Sequence, residues 1–341
     1  MEAIFLVGGK GTRLHPLTLD TPKPMLKLGG VPFVAHQIGY AKEHGVTRII
    51  MAISYKNEQF LEYLGDGSNF GVEIVHAIEK QPLGTGGAIR NAASYLQSAS
   101  TEPVAILNGD ILSAHDMRAQ VTLHQERDAD ATLHLIHVPD ARPYGSVPTD
   151  SSGKILQFVE KSAAPPTNFI NAGCYIFTRK LIDEIPANRV VSVERESFPQ
   201  LLIDGKVMIA YKSSSYWIDI GTPAAFLKAT IDLVTGEFRS PVFRVTEKKV
   251  FIDPRAQIGN GTQVSEGSAI GRSTLGADCI VTGSVIGDDV VVGEGAKISA
   301  SIIGNGAHIG EGSQVHGVIL GGEQAKIPAN SRQIGDNKEF F

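Results

Sequence analysis

Over the first two thirds of the chain, short runs rich in β-branched residues alternate with longer segments in which apolar residues recur at helical spacing. Val34, Ile38 and Ala41 have this spacing. The alternation predicts a mainly parallel α/β sheet of the doubly wound kind, which binds ligands beyond the carboxyl ends of its strands. Predicted strands cover 3–7, 48–54, 72–76, 104–107, 131–138, 155–160, 171–177 and 207–211, and predicted helices cover 33–44, 57–64, 86–96, 114–126, 179–184 and 223–235.

A different pattern begins near residue 250, where helix signals fade and glycine becomes frequent. From Ile252 to Val315, aliphatic residues recur at steps of five or six, and many are followed by glycine. Hexapeptide spacing is typical of a parallel β-helix, whose units each form one side of a coil and point one aliphatic residue at the axis. Twelve such positions predict about four coils. The alternative, a small antiparallel β-sandwich, would need longer strands at about 8–12-residue spacing.

The two patterns divide the chain into predicted domains. We expect a catalytic domain at 1–236, a polar linker at 237–249, the β-helix at 250–320 and a C-terminal tail at 321–341. The β-helix is expected to be structural and to form the interface of a homo-oligomer.

Composition narrows the class of protein. The chain has 341 residues, 42 % of them hydrophobic, and 31 basic against 36 acidic residues give a net charge of −5. The basic residues are dispersed, which argues against nucleic acid as a partner. No apolar run approaches the ~20 residues of a membrane helix, and the first residues do not resemble a secretion signal. Cys174 and Cys279 suit reduced, buried thiols, so we expect a cytoplasmic protein without a membrane partner.

A glycine cluster directly follows the first predicted strand. The segment from Leu6 to Leu14 reads LVGGKGTRL, with glycines at 8, 9 and 11. Without Cβ atoms, consecutive backbone N–H groups can turn toward one anion. The spacing is not that of a Walker A loop, and Leu14 stands where a dinucleotide fingerprint needs its third glycine. The cluster therefore predicts a phosphate cradle of another class.

Two cations follow the cradle. Arg13 offers a planar fork for bidentate phosphate contacts, and Lys23, between Pro22 and Pro24, lies on a stiffened segment. A lone cation on a loop is usually only solvated. Next to a glycine cradle, this pair predicts binding of a triphosphate.

Carboxylates end two of the apolar runs. Asp110 follows the run 104–107, and Asp219 follows Trp217-Ile218 just before a predicted helix that Thr222 caps. Each aspartate alone could be a turn or N-cap residue. Together, at equivalent strand ends, they favour a Mg²⁺ site, because Mg²⁺ prefers one or two carboxylates plus substrate phosphate oxygens.

Read together, these motifs resemble the sugar-1-phosphate nucleotidyltransferases, and more narrowly the mannose-1-phosphate guanylyltransferases, which also carry a left-handed β-helix. The resemblance spans nearly the whole chain. Its segments are GGKGTRL at 8–14, PKPML at 22–26, LNGD at 107–110, FVEK at 158–161, INAG at 170–173 and WIDIGTP at 217–223. A further segment, PLGTGG at 82–87, resembles the base-contacting loop of the family.

The resemblance implies a role for each matching residue. Arg13, Lys23 and Lys161 are the implied catalytic cations, and Asp110 and Asp219 the implied Mg²⁺ ligands. The implied nucleotide-binding residues are Leu6, Gly8, Gly9, Gly11, Thr12, Gly84 and Asn108, and the implied sugar-phosphate residues are Gly145, Glu160, Lys161 and Asn171. Glu160 and Lys161 suit this on chemical grounds too, because they offer an acceptor for hydroxyls and a cation for phosphate at the end of a predicted strand.

The expected reaction joins GTP and mannose 1-phosphate to give GDP-mannose and pyrophosphate. The sugar phosphate is already ionised near neutrality, so its oxygen can attack the α-phosphorus without a general base. This fits a chain whose His15, His36 and His44 form no catalytic triad. Catalysis then rests on positioning two anions and on stabilising the charge of the leaving pyrophosphate.

Three alternatives stay open at this point. The base or sugar could differ, as in a heptose guanylyl-, thymidylyl-, uridylyl- or adenylyltransferase. A regulatory subunit could bind GDP-sugar without catalysis, although it would need neither the cations nor both aspartates. An acyltransferase could use the hexapeptide helix, but His308 and His316 have no second constellation around them.

Overall fold

The computed structural model describes residues 1–9, 11–54, 57–322 and 325–335. Two compact units are distinguished. The first comprises Met1–Gly9 and Ile38–Trp217, and the second comprises Lys10–Gln37 and Ile218–Phe341. The segment that carries Arg13 and Lys23 therefore belongs to the unit that contains the C-terminal repeats.

The first unit is built on a seven-stranded sheet. Its strands are β1 (Glu2–Leu6), β2 (Arg48–Ile53), β3 (Glu73–Ile78), β4 (Pro103–Asn108), β5 (Ala131–His137), β6 (Phe169–Thr178) and β7 (Met208–Ser213). The spatial order is β7-β5-β6-β4-β1-β2-β3. Strand β6 is antiparallel to β4 and β5, and the other neighbours are parallel. The predicted mainly parallel sheet is confirmed, and its one antiparallel strand makes it a mixed sheet.

The described residues form seven α-helices, α1 (Phe33–Glu43), α2 (Asn57–Leu64), α3 (Gly84–Ala92), α4 (Met117–Glu126), α5 (Arg179–Glu184), α6 (Phe198–Ile203) and α7 (Pro223–Thr235). Local caps set several boundaries. Asp116 accepts a hydrogen bond from the backbone of Ala119, so α4 begins later than the predicted 114. Thr222 accepts from Ala225 at the start of α7, as the sequence predicted. No described helix has the length and apolar character needed to cross a bilayer.

Shorter elements connect these parts. They are the 3₁₀ turns Thr12–Leu14, Lys23–Met25, Ser68–Phe70 and Ala93–Tyr95, the π-helical turn Val193–Ser197, and the short strands Lys27–Leu28, Val31–Pro32, Ile111–Ser113 and Trp217–Asp219.

The predicted strand at 155–160 is wrong. The chain there has no regular strand and makes only isolated bridges, from Ile155 to Thr149 and from Val159 to Ser146. Ile155 and Phe158 are nevertheless buried in the core of the first unit. The apolar run predicted burial correctly, but this segment enters the core without forming a regular ladder of hydrogen bonds with a neighbouring strand. Glu160 and Lys161 therefore lie on an irregular segment and not at the end of a strand.

The core of the first unit lies where the sheet meets its helices. Ile4, Ile50, Ile106, Tyr175 and Phe177 are among its fully buried members. Each such side chain contributes roughly 1.5–3 kcal/mol through burial. The register pairs Leu6 of β1 with Asn108 of β4, so these two predicted nucleotide-binding residues end neighbouring strands.

The second unit contains three five-stranded parallel sheets built from two- and three-residue strands. One ladder runs through Phe251–Ile252, Ala269–Ile270, Val285–Ile286, Ile302–Ile303 and Ile319–Leu320. The next runs through Gln257–Ile258, Thr274–Leu275, Val291–Val292, His308–Ile309 and Lys326–Ile327. The third runs through Gln263–Val264, Ile280–Thr282, Lys297–Ser299, Gln314–His316 and Arg332–Ile334. The chain visits the three sheets in turn, as a parallel β-helix does, and the arrangement fits the left-handed form predicted.

The β-helix is longer than the sequence predicted. Five strands in each sheet give five coils, where about four were expected. The strands Lys326–Ile327 and Arg332–Ile334 continue the ladders past residue 320, so the described part of the predicted tail belongs to the helix. The strict hexapeptide spacing breaks after Leu320, which hid these strands. Residues 323, 324 and 336–341 of that tail lie outside the described residues.

The repeat nevertheless identified the core of the helix. The aliphatic residues predicted to face the axis at 270, 275, 281, 286, 292, 298, 303, 309 and 315 are all buried in one cluster. Ile252 and Ile258 of the first coil each remain 37 % exposed. A first coil has no coil on its outer side, so its axial residues are only partly covered.

Candidate active site

The glycine cradle begins in the first unit with Gly8 and Gly9. A Cβ at Gly8 would lie 2.5 Å from Oγ of Ser54, and Ser54 donates to the carbonyl of Gly8 at 2.7 Å. Gly8 is therefore needed for close packing against the end of β2. A Cβ at Gly9 would meet no described atom within 4 Å, so its backbone borders open space. Lys10, next in the cradle, lies outside the described residues.

The cradle continues in the second unit at Gly11, which has the left-handed φ of 63° that favours glycine. Its carbonyl accepts from Leu14 at 2.9 Å and from Oγ1 of Thr18 at 2.8 Å, closing the 3₁₀ turn that carries Thr12 and Arg13. A Cβ on Gly11 would lie 3.0 Å from Cβ of Lys23. This glycine thus brings the two predicted cation segments together.

Arg13, Lys23 and Asp219 converge in the second unit. Nζ of Lys23 lies 3.9 Å from Oδ1 of Asp219. A Cβ on Gly221 would lie 2.9 Å from Nη2 of Arg13 and 3.0 Å from the same Asp219 oxygen, so the guanidinium and the carboxylate flank this glycine. Lys23 is 8 % exposed, held by the 3₁₀ turn between its prolines. Two cations and one carboxylate in a half-buried setting give a net positive charge suited to phosphate.

At the sheet edge of the first unit, Gly109 separates Asn108 from Asp110. Its N–H donates to the carbonyl of Leu6 at 2.9 Å, and a Cβ there would lie 2.5 Å from that same oxygen. Only glycine lets β4 pass this close to the end of β1. Asp110 follows, half-buried at the carboxyl edge of the sheet, where the sequence predicted it.

A buried tyrosine hydroxyl links two of the predicted residues. Asn171 donates to the hydroxyl of Tyr175 at 2.8 Å, and the side chain of Asn108 also hydrogen-bonds this hydroxyl. Tyr175 is fully buried, and burial raises the pKa of its hydroxyl well above its ordinary value, so the hydroxyl stays protonated. The tyrosine therefore fixes the orientation of both amide side chains.

Sequence reasoning missed Tyr175, which it included only in a strand. No local signal marked it, because β6 is buried almost throughout and a buried tyrosine in such a strand has no distinctive pattern. Gly173 has a φ of 76°, and a Cβ there would lie 2.9 Å from Nδ2 of Asn108. The glycine makes room for the amide that Tyr175 holds.

Gly145 and Glu160 lie next to Asn171. The backbone N–H of Asn171 donates to the carbonyl of Gly145 at 2.9 Å, and a Cβ on Gly145 would lie 3.0 Å from Oε2 of Glu160. Burial raises the pKa of the Glu160 carboxyl, and the charge of Glu194 adds to this, while Lys161 and Arg195 act in the opposite direction. The structure thus groups three of the four predicted sugar-phosphate residues around one carboxylate.

Lys161, the fourth, is exposed and has a left-handed φ of 28°. That conformation costs a non-glycine residue on the order of 1 kcal/mol or more. Such strain recurs where a fold must aim a particular side chain.

The predicted base-contacting loop also has a packing role that the sequence did not reveal. Gly84 begins α3 with a φ of 73°, and a Cβ there would lie 2.6 Å from the carbonyl oxygen of Val191. That oxygen also accepts from the N–H groups of Gly86 at 2.9 Å and Gly87 at 3.3 Å. The segment around Val191 was assigned no element or function from the sequence.

Two carboxylates are the candidates for holding a metal ion. In the second unit, Asp219 supplies the hard oxygen donors that Mg²⁺ prefers, and the neighbouring Arg13 and Lys23 suit the phosphates of a substrate. In the first unit, Asp110 supplies the same kind of donor at the carboxyl edge of the sheet. Within the described residues, no cluster of three or more His, Cys, Asp or Glu side chains could hold a metal without a substrate.

Comparison with known proteins identifies the family. Residues 2–236 match the family of nucleotidyl transferases, and residues 246–332 match the family described as the GMPPB C-terminal domain. The chain therefore belongs to the nucleotidyl transferase family, whose members generally use divalent metal ions.

Among its relatives is a mannose-1-phosphate guanylyltransferase of Mycobacterium tuberculosis, 43 % identical over 87 % of this chain and 83 % of that protein. A probable mannose-1-phosphate guanylyltransferase 1 of Oryza sativa subsp. japonica is 33 % identical over 87 % of this chain and 89 % of that protein. The crystal structure of HddC from Yersinia pseudotuberculosis complexed with GMP-PN is similar with a TM-score of 0.58. It is 33 % identical and covers 67 % of this chain and 97 % of that chain.

Proposed function

We propose that this chain transfers the guanylyl group of GTP to mannose 1-phosphate and releases pyrophosphate, yielding GDP-mannose. The observation that carries the proposal is that Arg13 and Lys23, which follow the glycine cradle in the chain, lie close to the carboxylate of Asp219. The names of the relatives support guanylyl and mannose 1-phosphate as the transferred group and the acceptor. The guanine nucleotide analogue bound to the similar HddC structure also favours GTP.

The residues divide the work by charge and position. Arg13 and Lys23 stabilise the charge that develops on the leaving pyrophosphate, and Lys161 offsets repulsion as the sugar phosphate approaches. Gly145, Glu160 and Asn171 contact sugar hydroxyls through the carboxylate and the amide that the fold holds together. The phosphate oxygen of mannose 1-phosphate attacks the α-phosphorus, and the bond to pyrophosphate breaks, without a proton transfer from the protein.

The nucleotide contacts come from backbone groups and one amide. Gly8, Gly9, Gly11 and Thr12 surround the phosphates, Leu6 and Asn108 lie at the ends of paired strands, and Gly84 belongs to the loop assigned to the base. We assign Asp110 and Asp219 as ligands of Mg²⁺, which when bound supplies positive charge to the reacting phosphates. Asp219 lies beside Lys23 and Arg13, which suit a phosphate substrate.

The proposal extends to assembly and location. The exposed axial residues Ile252 and Ile258 of the first coil support self-association through the β-helix. The buried free thiols of Cys174 and Cys279 support a reducing, cytoplasmic setting. Light scattering after size exclusion tests the first point, and a monomer at micromolar concentration would contradict it.

Pyrophosphate release with GTP, ATP, UTP and dTTP, each paired with mannose 1-phosphate or glucose 1-phosphate, tests the central proposal. We expect GTP with mannose 1-phosphate to give the highest kcat/KM. A clear preference for another nucleotide or sugar would assign a different transferase of the same family. No release from any pair would support a non-catalytic GDP-sugar-binding subunit.

A further inference from the structure

The loop 82–87 is interlocked with the segment 189–194, and both belong to the first unit. Val191 accepts from two N–H groups at the start of α3, and its own N–H donates to the carbonyl of Leu83 at 2.9 Å. The first turn of α3 therefore has protein partners in a segment about a hundred residues away. Any displacement of 189–194 would be transmitted to the loop.

Glycines in this loop allow the interlock. A Cβ on Gly86 would lie 2.7 Å from Cγ1 of Val191, and a Cβ on Gly87 would lie 2.9 Å from the carbonyl oxygen of Arg189. Both distances are shorter than real Cβ atoms show. The glycines are thus explained by packing against 189–191, and the loop's one hydroxyl, on Thr85, has a separate role.

The hydroxyl of Thr85 both donates and accepts a hydrogen bond. It donates to Oε2 of Glu194 at 2.8 Å and accepts from the backbone N–H of Val193 at 2.9 Å. The same carboxylate oxygen accepts from Oγ of Ser192 at 2.9 Å. Two hydroxyl donors thus hold one half-buried carboxylate, and a charge-assisted bond of this kind is roughly twice as strong as a neutral one.

The charge of Glu194 also acts on one of the sugar-phosphate residues. This charge raises the pKa of the Glu160 carboxyl, where burial is the larger cause, and it raises the pKa of the Tyr175 hydroxyl in the same way. Lys161 and Arg195 are the cations that oppose it at Glu160. One side chain therefore touches the loop assigned to the base and acts electrostatically on the groups assigned to the sugar.

We propose that Glu194 is a positioning residue that fixes the base-contacting loop through Thr85 and also sets the charge balance at Glu160. This inference rests on the proposed function, because the roles of loop 82–87 and of Glu160 belong to it. In this role Glu194 acts through Thr85 and Glu160 and not through contact with a substrate. It couples selection of the nucleotide to binding of the sugar phosphate, because it holds the loop 82–87 through Thr85 and its charge acts on Glu160.

Two variants separate these effects. Glu194→Ala removes both the hydrogen bonds and the charge, and we expect KM for GTP to rise about tenfold and the preference for GTP over ATP to fall by a similar factor. Glu194→Gln keeps an acceptor for Thr85 but removes the charge, so the GTP preference is mostly retained. Both variants remove the negative charge that raises the pKa of Glu160, so this pKa falls. The acid side of the pH profile of kcat/KM for mannose 1-phosphate, called the acid limb below, therefore moves to lower pH.

Glu196 provides a matched control on the same turn. Its carboxylate binds Arg189 at 2.8 Å and the N–H of Ser192 at 3.0 Å, and it is exposed. Glu196→Gln removes this charge and keeps an acceptor in place, so it should leave nucleotide preference within about twofold of the wild type and the acid limb at the same pH. Thr85→Ser should keep the GTP preference, whereas Thr85→Val should lose it without moving the acid limb.

The results distinguish this inference from the proposed function. If the wild type released no pyrophosphate from any substrate pair, the proposed function would fail. If the wild type were active and the Glu194 variants matched Glu196→Gln in nucleotide preference and acid limb, only the positioning role would be overturned. Should Glu194→Ala fail to fold, an acid limb unchanged in Glu194→Gln would overturn it as well.

Discussion

The two units hold their candidate functional residues by different means. In the first unit, polar side chains hold one another, since Asn108 and Asn171 share the hydroxyl of Tyr175. In the second unit, glycines let backbone and side chains approach closely, as at Gly11 against Lys23 and at Gly221 against Arg13. In the first unit, where glycines such as Gly109 also pack closely, an exchange of the polar atoms around Tyr175 should be a sensitive perturbation. In the second unit, an added methyl group should be a sensitive perturbation as well as removal of a cation.

Close packing in the second unit extends from the cation segment to the β-helix. A Cβ on Gly321 would lie 2.7 Å from Cγ of Pro16, and one on Gly304 would lie 3.4 Å from Cδ2 of Leu17. The coils thus support the segment that carries Arg13, which is more than the purely structural or oligomer-forming role expected from the sequence.

The largest effect is expected from the cations themselves. Lys23→Ala should lower kcat/KM by about 10²–10³, because it removes charge stabilisation from the leaving pyrophosphate and leaves Asp219 beside one cation fewer. Lys27→Ala is the matched control, since Lys27 is partly exposed in an ion pair that contributes little to stability. Steady-state pyrophosphate release measures both. Near-normal turnover in Lys23→Ala would remove this lysine from the mechanism.

An intermediate effect is expected from one methyl group on the β-helix. Gly321 does not have a left-handed φ, so alanine is strained there only through the contact with Pro16. We expect Gly321→Ala to displace the turn carrying Arg13 and to lower kcat/KM about tenfold, with little change in Tm. Lys326→Ala, which truncates an exposed side chain nearby on the same helix, should have no such effect. Equal activities of the two variants would show that the β-helix does not support the cation segment.

The smallest expected effect is on the pH dependence of stability, which arises from buried histidines in both units. In the first unit, His115 and His134 stack with ring centroids 3.8 Å apart, and burial lowers the pKa of His115 to about 4 and that of His134 to about 2. In the second unit, burial lowers the pKa of His36 to about 4. These neutral histidines contribute stability that is fully present above the unfolded pKa of ~6.5 and is lost as pH falls toward the folded values.

Each such histidine should therefore reduce the free energy of unfolding by up to about 1.4 kcal/mol per pH unit between pH ~6 and ~4.5. Urea titrations at several pH values measure this slope. His134→Asn should make it shallower, and His137→Asn, an exchange at an exposed position on the same strand, should not. A slope unaffected by His134→Asn would mean that this histidine is not held neutral.

Hydrophobic patterning predicted burial better than it predicted strand pairing. The residues from Ile270 to Val315 that repeat every five or six positions all face the β-helix axis, because a repeated local spacing imposes the coil. Ile155 and Phe158 are buried as expected, but their segment forms no regular strand, since burial alone does not require a pairing neighbour. The extra strands after Leu320 were hidden by a change in spacing.

Candidate residues on short motifs could be found in the sequence, whereas the residues that hold them in place could not. Arg13, Lys23 and Asp219 were singled out individually by glycine, proline and strand-end context, and the structure brings them together. Tyr175 and Glu194 were missed because a buried tyrosine and a glutamate on a short helical turn have no distinctive local pattern. Their importance comes from partners far away in the sequence, which only the fold brings near.

Calorimetric titration of GTP into the purified protein, with Mg²⁺ and then with excess EDTA, tests the central claim most directly. We predict saturable binding of GTP when Mg²⁺ is present, a large loss of affinity after chelation, and a similar loss in Lys23→Ala with the metal present. Absence of binding by any nucleoside triphosphate in the presence of Mg²⁺, or the same affinity after chelation, would contradict the account.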